Sequence, residues 1–390
     1  MNQKPGRGQP DLASLLTVSI PTWSGGRPRL QKLLKHWAAV GCRLRIVDGS
    51  EKPWVPDDLY DSLNVSRTEY LHMPVNGGDQ WDNVRLRFAR ALTDIRTPFV
   101  AVCGDDDVFS RRGLINATQL LLDDTRLDVV VGRAIIAAPE SKGRLKWKHV
   151  HAEWRDSAIW RSDNLVERVV EGDGMGFYGV GRTEFLSQLW SYVFGLPPRF
   201  SYREEYLIKY LTQLAANLRV VDSLIWVRGP ESTQVNRLAG NHQQLIQRIL
   251  SSYEDRRLLL ADLTNGIQLL RRDKGGEEVL TAASALLKLH ESQSTSQSGV
   301  SFFERVANLR HRIVMASLSD SLRFRLYQFL DTRNLDNRRN RLTYSVTMAH
   351  SLENISSNLR RALIDFDHAE LENIARIYEE LFQDHSAFGP

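Results

Sequence analysis

Three adjacent carboxylates carry the first chemical suggestion in this chain: Asp105, Asp106 and Asp107 follow the apolar run Pro98 to Cys103 and a single Gly104. The run reads as a buried strand, so the carboxylates stand at a strand end, where neighbouring like charges repel by about a kcal/mol per pair. A divalent cation relieves that repulsion. An all-oxygen ligand set favours a hard ion, Mg2+ or Mn2+, which takes one or two carboxylates and completes its shell with water and substrate phosphates. Metal-assisted chemistry on a phosphorylated substrate is one reading of the triplet. The other is a solvated acidic turn in which Asp106 or Asp107 caps the helix that begins near Ser110.

The elements that must position these residues alternate along the chain. Leu15 to Ile20 reads as a strand followed by the loop Pro21 to Gly26, and Arg27 to Val40 has helical spacing. Arg43 to Val47 is a second strand ending in Asp48-Gly49-Ser50, and a third lies around Glu69 to Met73, before the Gly77-Gly78 turn. Asp79 to Ile95 is helical and leads into the strand of the triplet; Ser110 to Leu122 is the next helix and Asp128 to Gly132 the next strand. Such alternation predicts an α/β fold, a mainly parallel sheet with helices on both faces. Ligands bind these sheets beyond the carboxyl ends of the strands, the edge shared by the loops 21–26, 48–50 and 104–107.

Composition sets the outer limits. The 390 residues, 42% hydrophobic and 25% charged, are enough for a full core and two domains. Lys and Arg number 51 against 47 Asp and Glu, a balance that does not argue for a nucleic-acid partner. The two cysteines, Cys42 and Cys103, lie in or beside apolar strands and read as reduced core thiols of a cytoplasmic protein; neither belongs to a CxxC metal site. Residues 1–13 are polar and interrupted by Pro5, Gly6, Gly8 and Pro10, which reads as a flexible arm, not a secretory signal.

Over residues 15–235 the chain resembles the GT-A glycosyltransferases, and among them the large inverting group called family 2. The residues that carry the resemblance are Ile20-Pro21-Thr22-Trp23, Val47-Asp48-Gly49-Ser50, Gly77-Gly78 with Asn83 and Arg85, the Asp triplet, and Glu204-Glu205 opening a helix after Phe200 to Arg203. The glycine-dense stretch Gly174 to Phe185 is similar to that family's acceptor-side loop. The resemblance implies that Thr22 and Asp48 hold the base or ribose of a nucleotide-sugar donor, a UDP-sugar by default, and that Arg85 approaches its phosphates. It implies Asp107 as a ligand of Mn2+ or Mg2+, Asp105 as a ribose or second metal contact, and Asp106 close behind.

Glu205 takes the place of the family's catalytic base, with Glu204 in reserve. A carboxylate opposite the departing nucleoside diphosphate can take the proton of an acceptor hydroxyl, here on a glycan or surface glycoconjugate, and the anomeric configuration inverts. The chain departs from the pattern at Val47, at Gly104 and at Glu205 itself, each of which stands where the family usually carries Asp. Plainer readings stay open beside these: Asp48-Gly49 as a simple turn, and two Glu in a first helical turn favoured by the macrodipole.

From about Asn236 the spacing turns helical, at Gln243 to Leu260, Asp262 to Leu270, Glu277 to His290, Phe302 to Leu318, Leu322 to Leu330 and Leu342 to Leu381. The domains expected are therefore the arm 1–13, a GT-A domain over 14–235 and an all-helical region over 236–390. Ser292 to Gly299 reads as a connector. Between Arg305 and Arg341 nine Arg face three Asp, which suits either a solvated helix face or peripheral contact with anionic lipid at the inner face of the membrane. Trp147, Trp154 and Trp160 suit either core packing or stacking on acceptor sugars. Two other functions fit parts of the pattern: a non-catalytic scaffold that keeps the GT-A shape, and a sugar nucleotidyltransferase, whose Gly-rich basic loop has a faint echo in Ser24-Gly25-Gly26-Arg27.

Overall fold

The computed structural model describes residues 10–54, 67–74, 80–140, 144–150, 163–171, 178–197, 203–229, 252–294, 348–349, 352–361 and 364–383. A short helix α1 (Leu12–Leu15) leads into β1 (Leu16–Thr22). Asp11 caps α1 by accepting from the Ala13 N–H, and Leu12 and Ala13 are buried, so the folded body begins inside the stretch expected to be a flexible arm. Residues 1–9 lie outside the described residues.

Four strands form the parallel half of the sheet in the order β3-β2-β1-β4: β2 (Arg43–Asp48), β3 (Thr68–His72) and β4 (Phe99–Val102) beside β1. Helices α2 (Arg27–Val40) and α3 (Gln80–Ala91) lie between them in the chain. Every residue of β1 and of β4 is buried, as a strand covered on both faces requires. Along β4 the faces alternate: Phe99 and Ala101 join one hydrophobic core, Val100 and Val102 the other.

Beyond β4 the sheet becomes mixed. β8 (Val180–Arg182) runs antiparallel to β4 and to β6 (Val129–Glu140), which pairs antiparallel with β7 (Arg144–Val150). The two-residue β5 (Val108–Phe109) pairs antiparallel with β9 (Leu218–Arg228), which runs parallel to β6. The expected parallel, helix-covered sheet is thus the part that carries the loops of interest, and antiparallel strands extend it.

The remaining helices are α4 (Arg111–Asp123), α5 (Leu165–Glu171), α6 (Thr183–Gly195), α7 (Arg203–Ala215), α8 (Tyr253–Leu270), α9 (Gly276–Ser294), α10 (Leu352–Arg361) and α11 (His368–Gln383). Ser110, not an Asp of the triplet, is the N-cap of α4: its Oγ accepts from Gly113 N at 2.9 Å. The capping explanation of the triplet therefore fails.

The C-terminal region is helical in most of its described part, with one exception: β10 (Met348–Ala349) pairs with β7. Its helices share the cores of the sheet. Leu259, Leu263, Ile267 and Leu286 lie in one core with Leu189, Trp190 and Leu211, while Leu359, Ile374 and Tyr378 lie in the other with Leu30, Leu34, Trp37 and Phe109. The two helices expected at 243–260 and 262–270 are, over the described residues, the single helix α8, and α9 runs on through Ser292 to Ser294, into the expected connector. Trp147 is buried in the core at 1% exposure, which excludes it as a sugar platform. Trp154, Trp160, Gly174 to Phe177, Gly77-Gly78 and the Arg-rich stretch 305–341 lie outside the described residues. Among those described, no helix is long and apolar enough to cross a membrane.

Candidate active site

Because β1 and β4 are neighbours in register, the loops that follow them meet. Thr22 Oγ1 donates to Asp105 Oδ2 at 2.9 Å, and Arg29, in the first turn of α2, reaches Asp105 Oδ1 with Nη2 at 3.4 Å. Gly26 permits this approach: a Cβ there would lie 1.6 Å from Asp105 Oδ2, so any side chain would drive the loop and the helix start apart. Arg87 of α3 donates through Nη1 to the Thr22 carbonyl at 2.8 Å and lies in the field of Asp105 and Asp48. The Nε atoms of Arg29 and Arg87 are both buried with no hydrogen-bond partner among the described residues. Buried donors are nearly always satisfied, so this pair is suited to a ligand's anionic oxygens. Burial, and then the Asp106 charge, push the Asp105 carboxyl above the usual range, while Arg29 and Thr22 pull it down.

Asp107 turns to another part of the sheet. Its Oδ2 accepts from the Trp226 indole at 3.1 Å and its Oδ1 from Gly229 N at 2.9 Å, both supplied by the end of β9 and the residue that follows it. Burial and the Asp106 charge raise it well above the carboxylate range, against the opposing pull of Arg228 and these two hydrogen bonds. Asp106, between them, is half-buried.

Asp48 differs. Its Oδ1 accepts from Ser50 N at 3.0 Å and from Ser50 Oγ, while its Oδ2 accepts from Arg27 Nε at 3.1 Å, from Arg27 Nη2 and from Tyr70 Oη. A carboxylate offers about four lone-pair positions, and all of them are used here. Burial alone would raise this group, but the bonds from Arg27, Ser50 and Tyr70 outweigh it and hold Asp48 below its ordinary value. In this structure the bonds of Asp48 go to protein partners and shape the end of β2.

Arg85 and Glu204 are likewise engaged by the protein. Arg85 Nε lies 2.7 Å from Glu204 Oε1, and its Nη2 donates to the carbonyls of Phe194, at 3.4 Å, and of Leu196. Both side chains, the guanidinium expected at the phosphates and the carboxylate held in reserve as base, are buried, and their contacts tie α3, α6 and α7 together. Glu205, the next residue in the first turn of α7, is exposed. It shares a neighbour with the triplet. Tyr178 stacks on Trp226 with centroids 3.6 Å apart, and its hydroxyl is pushed well up by burial first and then by the charges of Asp107 and Glu205. Asn83 lies on α3.

The donor chemistry of the triplet suits a hard divalent ion, but no three His, Cys, Asp or Glu side chains among the described residues converge to enclose one. What the loop offers is one or two carboxylates, the number Mg2+ or Mn2+ commonly takes when phosphate and water supply the rest.

Spacing arguments missed Arg29, Arg87, Tyr178, Trp226 and Arg228. Arg87 had a local sign: Gly49 lies against it, a Cβ there falling 2.5 Å from Arg87 Cδ, and a glycine after a strand-end Asp marks a close approach. The contributions of β9 had none, since more than a hundred residues separate Trp226 from Asp107.

Fold and site define an α/β protein with an acidic site at the carboxyl edge of a mixed sheet. No protein-family model and no curated protein matches the chain. Among solved structures it is similar to Staphylococcus aureus TarS 1-349 in complex with UDP, at 15% identity over 83% of this chain and 89% of that one, with a TM-score of 0.46. Similarity extends to the same TarS segment in complex with UDP-GlcNAc (14% identity, 77% and 91% of the two chains, TM-score 0.39) and to a longer TarS chain (15%, 80% and 54%, TM-score 0.35).

Proposed function

We propose that the protein is a metal-dependent, inverting glycosyltransferase of the GT-A type that moves a sugar from a nucleoside-diphosphate sugar, by default a UDP-sugar, to a hydroxyl of a glycan or glycoconjugate. The observation that carries the reading is the closure of Thr22 and Arg29 on Asp105, with Arg87 on the Thr22 carbonyl and two buried guanidinium N–H groups left for anionic oxygens at the strand edge where such sheets bind ligands. Arg29 and Arg87 bind and orient the donor, and Thr22 holds Asp105 in place. Asp48, with Arg27, Ser50 and Tyr70, shapes the end of β2 beside them.

Asp107 together with Asp105, with Asp106 at hand, would hold Mn2+ or Mg2+, which when bound would supply positive charge to the departing diphosphate. Glu205 is the base: exposed at the start of α7, it takes the proton of an acceptor hydroxyl approaching from the face opposite the diphosphate. Glu204, buried against Arg85, fixes that helix end.

Calorimetry and thermal shift with UDP, GDP, CMP and dTDP nucleotides, with and without Mn2+, test the reading on the wild type and Asp107→Ala. The expected result is metal-dependent binding of one nucleotide, lost in the variant, and slow donor hydrolysis that Glu205→Gln reduces. One observation favours the non-catalytic scaffold, namely that three carboxylates do not converge among the described residues. Binding of no nucleotide would decide for it.

A further inference from the structure

We propose that Tyr378, far along the C-terminal helix α11, is a positioning residue for the Asp triplet; the inference rests on reading that triplet as the metal-bearing donor site. Its Oη lies 3.1 Å from the Asp106 carbonyl and 3.1 Å from the Val227 carbonyl, and the side chain is fully buried. One hydroxyl proton is shared between the loop after β4 and the end of β9, the two segments that β5 brings side by side. The Asp106 peptide lies between β4 and β5, outside both, so its carbonyl takes a donor from elsewhere in the fold.

Packing around that carbonyl leaves no slack. A Cβ at Gly229 would fall 2.0 Å from the Asp106 oxygen and 3.3 Å from Tyr378 Cε1, and the Gly229 N–H holds Asp107 Oδ1 at 2.9 Å. Tyr378 thus fixes the peptide that joins Asp106 to Asp107, and with it the direction of both carboxylates. Helix α11 is itself secured. Leu371, Ile374, Ala375 and Leu381 are buried, Glu370 accepts from the N–H groups of Arg111 and Arg112 at the start of α4, and Asp365, just before α11, accepts from Arg112 Nε at 3.0 Å and from Asn116 Nδ2 at 2.7 Å. A group held by such a support has a defined direction, which is what a ligand set needs.

The test titrates the full chain with UDP at fixed Mn2+, with Mn2+ at fixed UDP, and with UDP alone, for the wild type, Tyr378→Phe and Ile374→Ala. In Tyr378→Phe the Mn2+-dependent affinity should fall by about five- to tenfold, the usual reach of one lost hydrogen bond, while metal-free UDP binding stays at the wild-type level. Ile374→Ala, which trims the apolar face of α11 and keeps the hydroxyl, should stay within about twofold of the wild type if direction of the carboxylates is what Tyr378 controls. Wild-type affinity in Tyr378→Phe overturns the proposal, and so does an equal loss in Ile374→Ala, which would trace the effect to helix packing. A wild type that binds no nucleotide with or without metal overturns the reading of the site, and this inference with it.

Discussion

Asp48 and Asp107 are the same residue at the ends of strands that flank β1, both buried, and their surroundings push them in opposite directions. Asp48 receives a guanidinium, two bonds from Ser50 and one from Tyr70, and is held below its ordinary range. Asp107 receives two neutral N–H groups, has Asp106 beside it, and is pushed well above. Asp107 lies the deeper of the two, and where Asp48 has the Arg27 guanidinium bonded to it Asp107 has only the field of Arg228, so depth and the charge on the partners together decide. A carboxylate whose positive partner is built into the fold needs no other; one whose bonded donors are neutral and whose neighbour is another carboxylate is the kind that a cation from outside would stabilise. Helix α2 serves both regions: Arg27, at its start, gives Asp48 a charged partner, while His36, two turns on, gives a neutral ring nitrogen to the Phe109 carbonyl at 2.9 Å, just past the triplet.

The comparison breaks most visibly at Asp107. Asp107→Asn should lower transfer from the donor by about a thousandfold, the scale of losing one ligand of a catalytic ion, with little change in the melting temperature, because relief of a buried like charge offsets the loss of the acceptor that serves either Trp226 or Gly229. Initial rates over a Mn2+ series, together with a thermal melt, check both halves. Asp48→Ala should do the reverse, costing about 3 kcal/mol in urea titration because Arg27, Tyr70 and Ser50 lose a shared acceptor. Since the folded-state value of Asp48 is depressed, its contribution is present above the unfolded value of about 3.9 and is lost as pH falls through the folded one.

The finest test is His36. Burial lowers it to about 4, partly offset by its bond to Phe109, so its contribution is full above the unfolded value near 6.5 and fades as pH falls toward the folded value. Between pH 6.5 and 5 this amounts to about 2 kcal/mol of lost stability, which His36→Gln should not show in pH-dependent denaturation.

The alternation of strand and helix was legible because each parallel strand is a short apolar run ended by turn residues, as at Asp48-Gly49-Ser50 and Gly104 to Asp107. The triplet was legible for the same reason, since three charges after an apolar run are locally conspicuous. Which partner each charge would find was not. Arg85 and Arg87 are two positions apart on one helix and so leave it in nearly opposite directions; motif spacing chose the first for the phosphates, while packing turned it to Glu204 and brought Arg87 to Asp105. Part of the antiparallel extension was also hidden, because β8 and β10 reach the sheet from far along the chain and nothing local names their partners.

The core that holds Phe109 and Trp37 also holds Leu12 and Leu381, so one apolar surface is assembled from almost the first and almost the last described residues. Domains form on the ribosome from the N-terminus onward. For most of the time this chain takes to emerge, the face of the sheet that α10 and α11 will cover is bare and the loop bearing the triplet lacks its buttress. The loop bearing the triplet therefore gains its bond from Tyr378 only after α11 has been made, and until then the apolar face that α10 and α11 cover is open to water.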